Sequence, residues 1–300
     1  MTLHPQARAY LEALGSDDGG PPLDLEAVRD IRAQSRAVAM EQDRIGLDHV
    51  ADVDADGVPC RLYRPRLGAP VALYVHGGGW VMHDVETHDV FCRYLAHVTG
   101  WALLSVDYRL APEHPFPAGL DDVERAARWL RANGRGHRVD TDWVPAIGDS
   151  AGANLVAGLC VRDPALLDHQ VLLYPVTDRR ADLDPSLENA ALGIDDMTWM
   201  WEAYAPGDRA DEPEVSVLRA ADLAEHPPAV VVTCEHDVLR DQGEAYAAAL
   251  ADAGVQVTAH RALGMIHSFW RQPAVFDASR ALVVAVGGWL DTARSAAREA

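Results

Sequence analysis

Ser150, Asp237 and His267 are the residues whose types and order could do covalent chemistry. An apolar run from Trp143 to Ile147 meets Gly148-Asp-Ser-Ala-Gly152, and a small-residue helix pattern follows through Cys160. That reads as strand, sharp turn and helix with Ser150 at the apex, flanked by glycines because a Cβ at either would strike the neighbouring strand or helix. A serine hydroxyl is a poor nucleophile until a base takes its proton, and the base needs a third group to orient it. Asp237 follows the β-branched run Val230-Val-Val-Thr-Cys-Glu-His236, and His267 sits in Gly264-Met-Ile-His-Ser-Phe-Trp270, so an acid and a base each follow a strand end.

Thirteen histidines are available, so the assignment has rivals. His260 lies inside the last strand pattern and His226 precedes a Pro-Pro turn, which argues against both. His236 is the main rival base, and Glu235 and Asp241 are the rival acids. An alkoxide developing in the reaction needs preorganised N–H donors. Gly77 and Gly78 can bring bare backbone N–H groups to it from the loop after an apolar strand, and Ala151 supplies a third. The run His76-Gly-Gly-Gly79 could alone be a phosphate loop, but neither G-K-[ST] nor G-x-G-x-x-G is spelled out. His83, Asp84, Glu86 and His88 have the spacing of no common metal site, so a hydrated loop and no metal are expected.

The elements that must position these groups are legible as periodicity. Residues 1–47 read as two amphipathic helices joined by a loop over 15–22. Two short strands, His49–Val53 and Val58–Tyr63, form a hairpin through Asp54-Ala-Asp-Gly57. Apolar strands then follow at 71–75, 101–106, 143–147, 171–173, 229–233 and 255–259, with helices at 120–133, 242–253 and 275–297. Buried strands alternating with helices give an α/β fold with a mostly parallel sheet covered on both faces, in one domain over 1–300. Residues 180–215 break the rhythm, and with 1–47 they are expected to form a cap over the strand ends. The cluster Met197-Thr-Trp-Met-Trp201 within them reads as packing, with Trp199 a candidate substrate contact.

A net charge of −20 with no basic patch argues against phosphate-backbone binding and disfavours an anionic membrane surface. No apolar run reaches the length of a membrane span, and the first ten residues lack a signal-peptide pattern, so a cytoplasmic protein is the default expectation. Cys60, Cys92, Cys160 and Cys234 are far apart among apolar neighbours and read as free buried thiols.

Taken together, His76-Gly-Gly-Gly-Trp80, Glu86-Thr-His-Asp89, Val106-Asp-Tyr-Arg-Leu-Ala-Pro-Glu-His-Pro-Phe-Pro117, Gly148-Asp-Ser-Ala-Gly152 with Asn154, Leu239-Arg-Asp241 near Asp237, and His267 with Phe269 carry a resemblance. The sequence resembles the bacterial hormone-sensitive-lipase family (family IV) of carboxylesterases, within the α/β-hydrolase superfamily. The resemblance implies an α/β-hydrolase fold, with an eight-stranded mostly parallel sheet, helices on both faces and a helical cap. It implies no cofactor, hydrolysis of short acyl esters (acetyl to about hexanoyl), and a homodimer through the last strand. It places the nucleophile at Ser150, the acid at Asp237, the base at His267 and the oxyanion donors at Gly77, Gly78 and Ala151. His83 and Ser268 stand where the family commonly has glycine, Ala153 replaces another glycine, and Val217 and Val238 replace prolines. His83 and Ser268 are close enough to the site to alter substrate preference, and with Trp80 and Trp199 they are the candidate substrate contacts. Two other readings use the same residues: an N-acyl amide deacetylase with this triad, and a non-catalytic small-ligand receptor.

Overall fold

The computed structural model describes residues 2–15 and 25–299; the loop expected over 15–22 lies, after Gly15, outside the described residues. The chain opens with α1 (Pro5–Leu14) and α2 (Leu25–Met40), then the hairpin strands β1 (His49–Asp54) and β2 (Pro59–Arg64). The alternating part follows: β3 (Val71–Val75), α3 (Asp89–Thr99), β4 (Ala102–Val106), α4 (Ala118–Asn133), β5 (Pro145–Asp149), α5 (Ala151–Arg162) and β6 (His169–Leu173). After α6 (Ile194–Tyr204) come β7 (Ala229–His236), α7 (Arg240–Asp252), β8 (Val257–Ile266) and α8 (Asp277–Glu299). The strands form one eight-stranded sheet in the order β1-β2-β4-β3-β5-β6-β7-β8. β1 and β2, and β2 and β4, pair antiparallel, and every other pair is parallel.

The continuous apolar strands bury both faces, and their alternation sorts two cores. Val71, Leu73 and Val75 of β3 pack with α4, α5, α6 and α7 on one face. Ala72 and Tyr74 pack on the other face with α3, α8 and Ala7 of α1. α3 was not anticipated from the sequence, although its buried Phe91, Cys92, Leu95 and Ala96 follow helical spacing. The four cysteines are free and buried. Among the described residues no helix is long and apolar enough to cross a membrane.

Two local devices set where the strand ends point. The turn between β5 and α5 is so tight that a Cβ on Gly152 would run into the Val75 and His76 carbonyl oxygens, and one on Gly148 would come within 2.5 Å of Gly152 O. Ser150 between them has φ 55° and ψ −119°, a conformation held by its N–H donating to Leu173 O at 2.8 Å. At the sheet edge, β8 runs well past the expected end at Ala259 and pairs irregularly with β7 between Cys234 and His236. There Glu235 Oε2 accepts the Gly264 N–H at 2.7 Å, while Gly264, at φ +72°, accepts the His4 N–H at 3.0 Å. This bulge re-aims the end of β8, from which His267 projects.

Gly152→Ala is expected to cost more than about 4 kcal/mol, because backbone on both sides of the new methyl cannot yield; urea denaturation of the variant measures it. Burial lowers the pKa of His169 on β6, and that of His226 before β7, each to about 4. Both imidazoles are neutral when folded and take up protons near pH 6.5 when unfolded, so stability is full above about pH 6.5 and falls as pH drops toward 4. His169 alone is worth on the order of 3 kcal/mol at pH 4. Urea midpoints measured from pH 7 to pH 4 are expected to fall, and less steeply in His169→Gln.

Candidate active site

The elbow puts Ser150 at the C-terminal end of the sheet, and the turns that leave β7 and β8 bring Asp237 and His267 to it. Asn154, one turn into α5, donates through Nδ2 to Val176 O at 2.9 Å and Val215 O at 2.8 Å, which ties that helix to the chain leaving β6 and to the segment before β7. His267 Nε2 lies 3.0 Å from Ser150 Oγ, and His267 Nδ1 lies 2.7 Å from Asp237 Oδ2. Asp237 Oδ1 accepts the Leu239 N–H at 2.9 Å, so the carboxylate is held at both oxygens. An ionised carboxylate only accepts, which puts the imidazole proton on Nδ1 and leaves Nε2 free to receive the serine proton. All three side chains are buried, and the Tyr174 ring stands edge-on to His267 with centroids 4.7 Å apart. The rivals go elsewhere. His236 Nε2 sits 3.8 Å from Glu235 Oε2, Glu235 holds Gly264, and Asp241 accepts from Arg240.

The glycine loop after β3 differs from expectation at one residue. The Gly77 N–H is donated to Asp149 Oδ1 at 3.1 Å, an oxygen that also accepts the Tyr74 hydroxyl at 2.9 Å. Gly77 is therefore already engaged and cannot serve as a bare donor. The loop then turns through positive φ at Gly78 (117°), Gly79 (59°) and Trp80 (60°), closed by the Val81 and Met82 N–H groups on Gly78 O. Among the described residues neither the Gly78 nor the Gly79 N–H meets a protein acceptor. Ala151 opens α5, where N–H groups have no intrahelical partner.

The four expected substrate contacts divide. Trp80 is only 1% exposed, stacked on Tyr204 at 4.4 Å and 2° and tilted against Trp201 at 4.6 Å. It anchors α6 to the glycine loop and does not face substrate space, because both its ring faces are taken. Trp199 is partly buried against the same core. Met200 of α6 also reaches the loop, its sulfur standing where a Gly79 Cβ would be. Ser268, partly buried at φ 63°, turns the chain out of His267. His83, at φ 73°, lies against Gly78 and lines a cavity of about 340 Å³ together with Arg32, Asp84, Asp107 and Glu113. Arg32 of α2 spans that cavity's rim, donating to Val81 O at 2.7 Å, Ala111 O at 2.6 Å and Glu113 Oε1 at 2.9 Å.

The segment from His83 to Asp89 is not the hydrated loop its charges suggested. Asp84 pairs with Arg36, Glu86 with Arg44 and Arg61, and Asp89 with Arg61 at 2.9 Å and Arg93 at 2.6 Å. Burial alone would raise the Asp89 pKa, but bonds from Arg93, Arg61 and Tyr63 hold it below the usual range. His88 is fully buried, its ring 5.2 Å from those of His76 and His83. Burial, with Arg271 nearby, pushes the pKa of His83 and His88 well down. No group of three potential ligands able to hold a metal occurs among the described residues.

Asp149, Met200 and Arg271 escaped the sequence reading. Asp149 had a signal, since it lies inside the serine motif and its side chain must go somewhere from a buried turn. Met200 and Arg271 had none, because the loops they touch are more than a hundred residues away in sequence.

Comparison with known proteins places this geometry. The family model described as the alpha/beta hydrolase fold matches residues 72–271. An ethyl acetate hydrolase of Pseudomonas putida is 33% identical, over 95% of this chain and 98% of its own. The carboxylesterase NlhH of Mycobacterium tuberculosis is 38% identical, over 77% of this chain and 75% of its own. A hyperthermophilic esterase from the archaeon Pyrobaculum calidifontis superposes with a TM-score of 0.88 at 34% identity, covering 99% of both chains. The chain belongs to the hormone-sensitive-lipase-like esterases of the α/β-hydrolase fold.

Proposed function

We propose that the protein is a serine carboxylesterase that hydrolyses short-chain acyl esters through an acyl-enzyme on Ser150. The observation that carries this reading is the buried relay from Asp237 through His267 to Ser150 Oγ, with links of 2.7 and 3.0 Å, beside a loop with bare N–H groups. His267 Nε2 takes the hydroxyl proton as Oγ attacks the acyl carbon. The oxyanion that forms is received by the N–H groups of Gly78, Gly79 and Ala151, with Gly79 in the place first given to Gly77. The imidazolium, balanced by Asp237, then protonates the departing alkoxide. In the second half His267 deprotonates a water that attacks the acyl-enzyme, and the acid leaves as the proton returns to Ser150.

A short acyl chain is favoured by the way α6 closes on the glycine loop, with Met200 over Gly79 and Trp80 clamped by Trp201 and Tyr204. Residues 180–215 act in this reading as one half of a cap, and α2, strapped to residues 81–84 and 111–113 by Arg32 and Arg36, as the other. The name of the Pseudomonas putida relative, an ethyl acetate hydrolase, supports the acetyl end of the range. β8 ends the sheet with residues 258–261 and Leu263 exposed, an open edge that supports pairing with the β8 of a second copy.

Ser150→Ala is expected to lower p-nitrophenyl acetate turnover by about four decades or more while leaving the fold intact. A fluorophosphonate is expected to label the parent enzyme at Ser150, as seen by peptide mass. Near-parental turnover in the variant would overturn the assignment. Across p-nitrophenyl esters from acetate to decanoate, kcat/KM is expected to peak at or below hexanoate. Met200→Ala is expected to shift that peak to longer chains, which the same series measures.

A further inference from the structure

The glycine loop, the nucleophile turn and the base loop leave three different strands, yet one guanidinium reaches all of them. Arg271 closes the short 3-10 helix Phe269–Arg271, four residues after His267. Its Nη2 lies 3.4 Å from His83 Nε2 and its Nη1 3.3 Å from His88 Nε2. Its Nε, without a hydrogen-bond partner among the described residues, lies 3.7 Å from Asp149 Oδ2, and the side chain is only 17% exposed. Asp149 is the residue before Ser150 and holds the Gly77 N–H. His83 presses on Gly78 so closely that a Cβ there would come within 2.7 Å of its ring.

We infer that Arg271 is a positioning residue, which locks the oxyanion donors to the base loop by holding His83 and His88 on one side and Asp149 on the other. A guanidinium has donors only, so each imidazole must turn a bare Nε2 toward it and carry its proton on Nδ1. That fixes both rings as neutral acceptors, in keeping with the burial that holds their pKa values down. The same cation is the counter-charge nearest the buried Asp149 carboxylate, whose oxygen fixes the start of the donor loop. Removing it leaves that carboxylate without a cation and both imidazoles without a donor. The donor N–H groups then lose the alignment, to a few tenths of an ångström, on which oxyanion stabilisation depends. Arg271 touches no reacting atom, so its effect passes through Gly77 and Gly78.

This inference rests on the esterase reading, so the experiment begins with the parent enzyme, its turnover of p-nitrophenyl acetate and its labelling by a fluorophosphonate. If the parent shows neither, both readings fall together. With an active parent, Arg271→Gln is expected to lower kcat by roughly 10- to 100-fold with KM changed less than about twofold. Its affinity for a trifluoromethyl ketone, which mimics the tetrahedral oxyanion, is expected to weaken by the same factor as kcat/KM. Arg271→Lys is expected to fall between the two, and millimolar guanidinium to restore part of the kcat of Arg271→Ala. His83→Ala combined with Arg271→Gln is expected to be little worse than Arg271→Gln alone, because the two act as one unit. The inference is overturned if kcat of Arg271→Gln stays within about twofold of the parent. It is equally overturned if the lost activity tracks the folded fraction while ketone affinity per folded site is unchanged.

Discussion

The architecture turns on a close approach of backbone to backbone. Gly152, in the first turn of α5, rests on the carbonyl oxygens of Val75 and His76, and Gly148 lies under the same turn. β3 and β5 are neighbours in the sheet, so this contact fixes the height of Ser150 relative to the loop that leaves β3. The strained conformation at Ser150 persists because the surrounding sheet leaves the turn no alternative, and the strain keeps the hydroxyl clear of its own helix. The order of strands then does the rest. β6, β7 and β8 step outward from β5, so Asp237 and His267 arrive over Ser150 from one side while the glycine loop approaches from the other.

A second layer of organisation is ionic. Every one of the 26 basic side chains is an arginine, against 46 carboxylates. At the strand ends, planar guanidinium groups span two or three acceptors at once, which a lysine ammonium does with less geometric definition. Arg32 joins α2 to two carbonyls and a carboxylate, Arg61 joins three carboxylates, and Arg271 joins two imidazoles and a carboxylate. Loops that a hydrophobic core cannot reach are held in this way, including those around Ser150 and His267.

What the sequence made legible was whatever one strand and its own end determine. The order of Ser150, Asp237 and His267 could be read because each lies at the end of an apolar run, and every expected strand reappears, all but β8 within a few residues of its expected bounds. Identifying the bare glycine N–H could not be done that way. It depends on the side chain of Asp149 crossing from β5 to β3 and claiming Gly77 first. Trp80 looked like a pocket wall because its partners Trp201 and Tyr204 come about 120 residues later. The charges between His83 and Asp89 looked solvated because Arg36, Arg44 and Arg61 are supplied by other elements. The misplaced end of β8 has a similar origin, since its polar outer residues weaken the apolar signal on an edge strand.

The hydrogen bond from His4 to Gly264 has a practical side for anyone handling the protein. It joins His4 to the bulge at Gly264, three residues before His267, at the end of β8. Any mass carried ahead of His4 bears on that latch, and with it on the aim of His267. The last turns of α8 are tied instead to Asp140, which bonds to Ala69 at the start of β3, across the full length of the sheet from the serine. That end of α8 therefore bears on the opposite end of the sheet from Ser150.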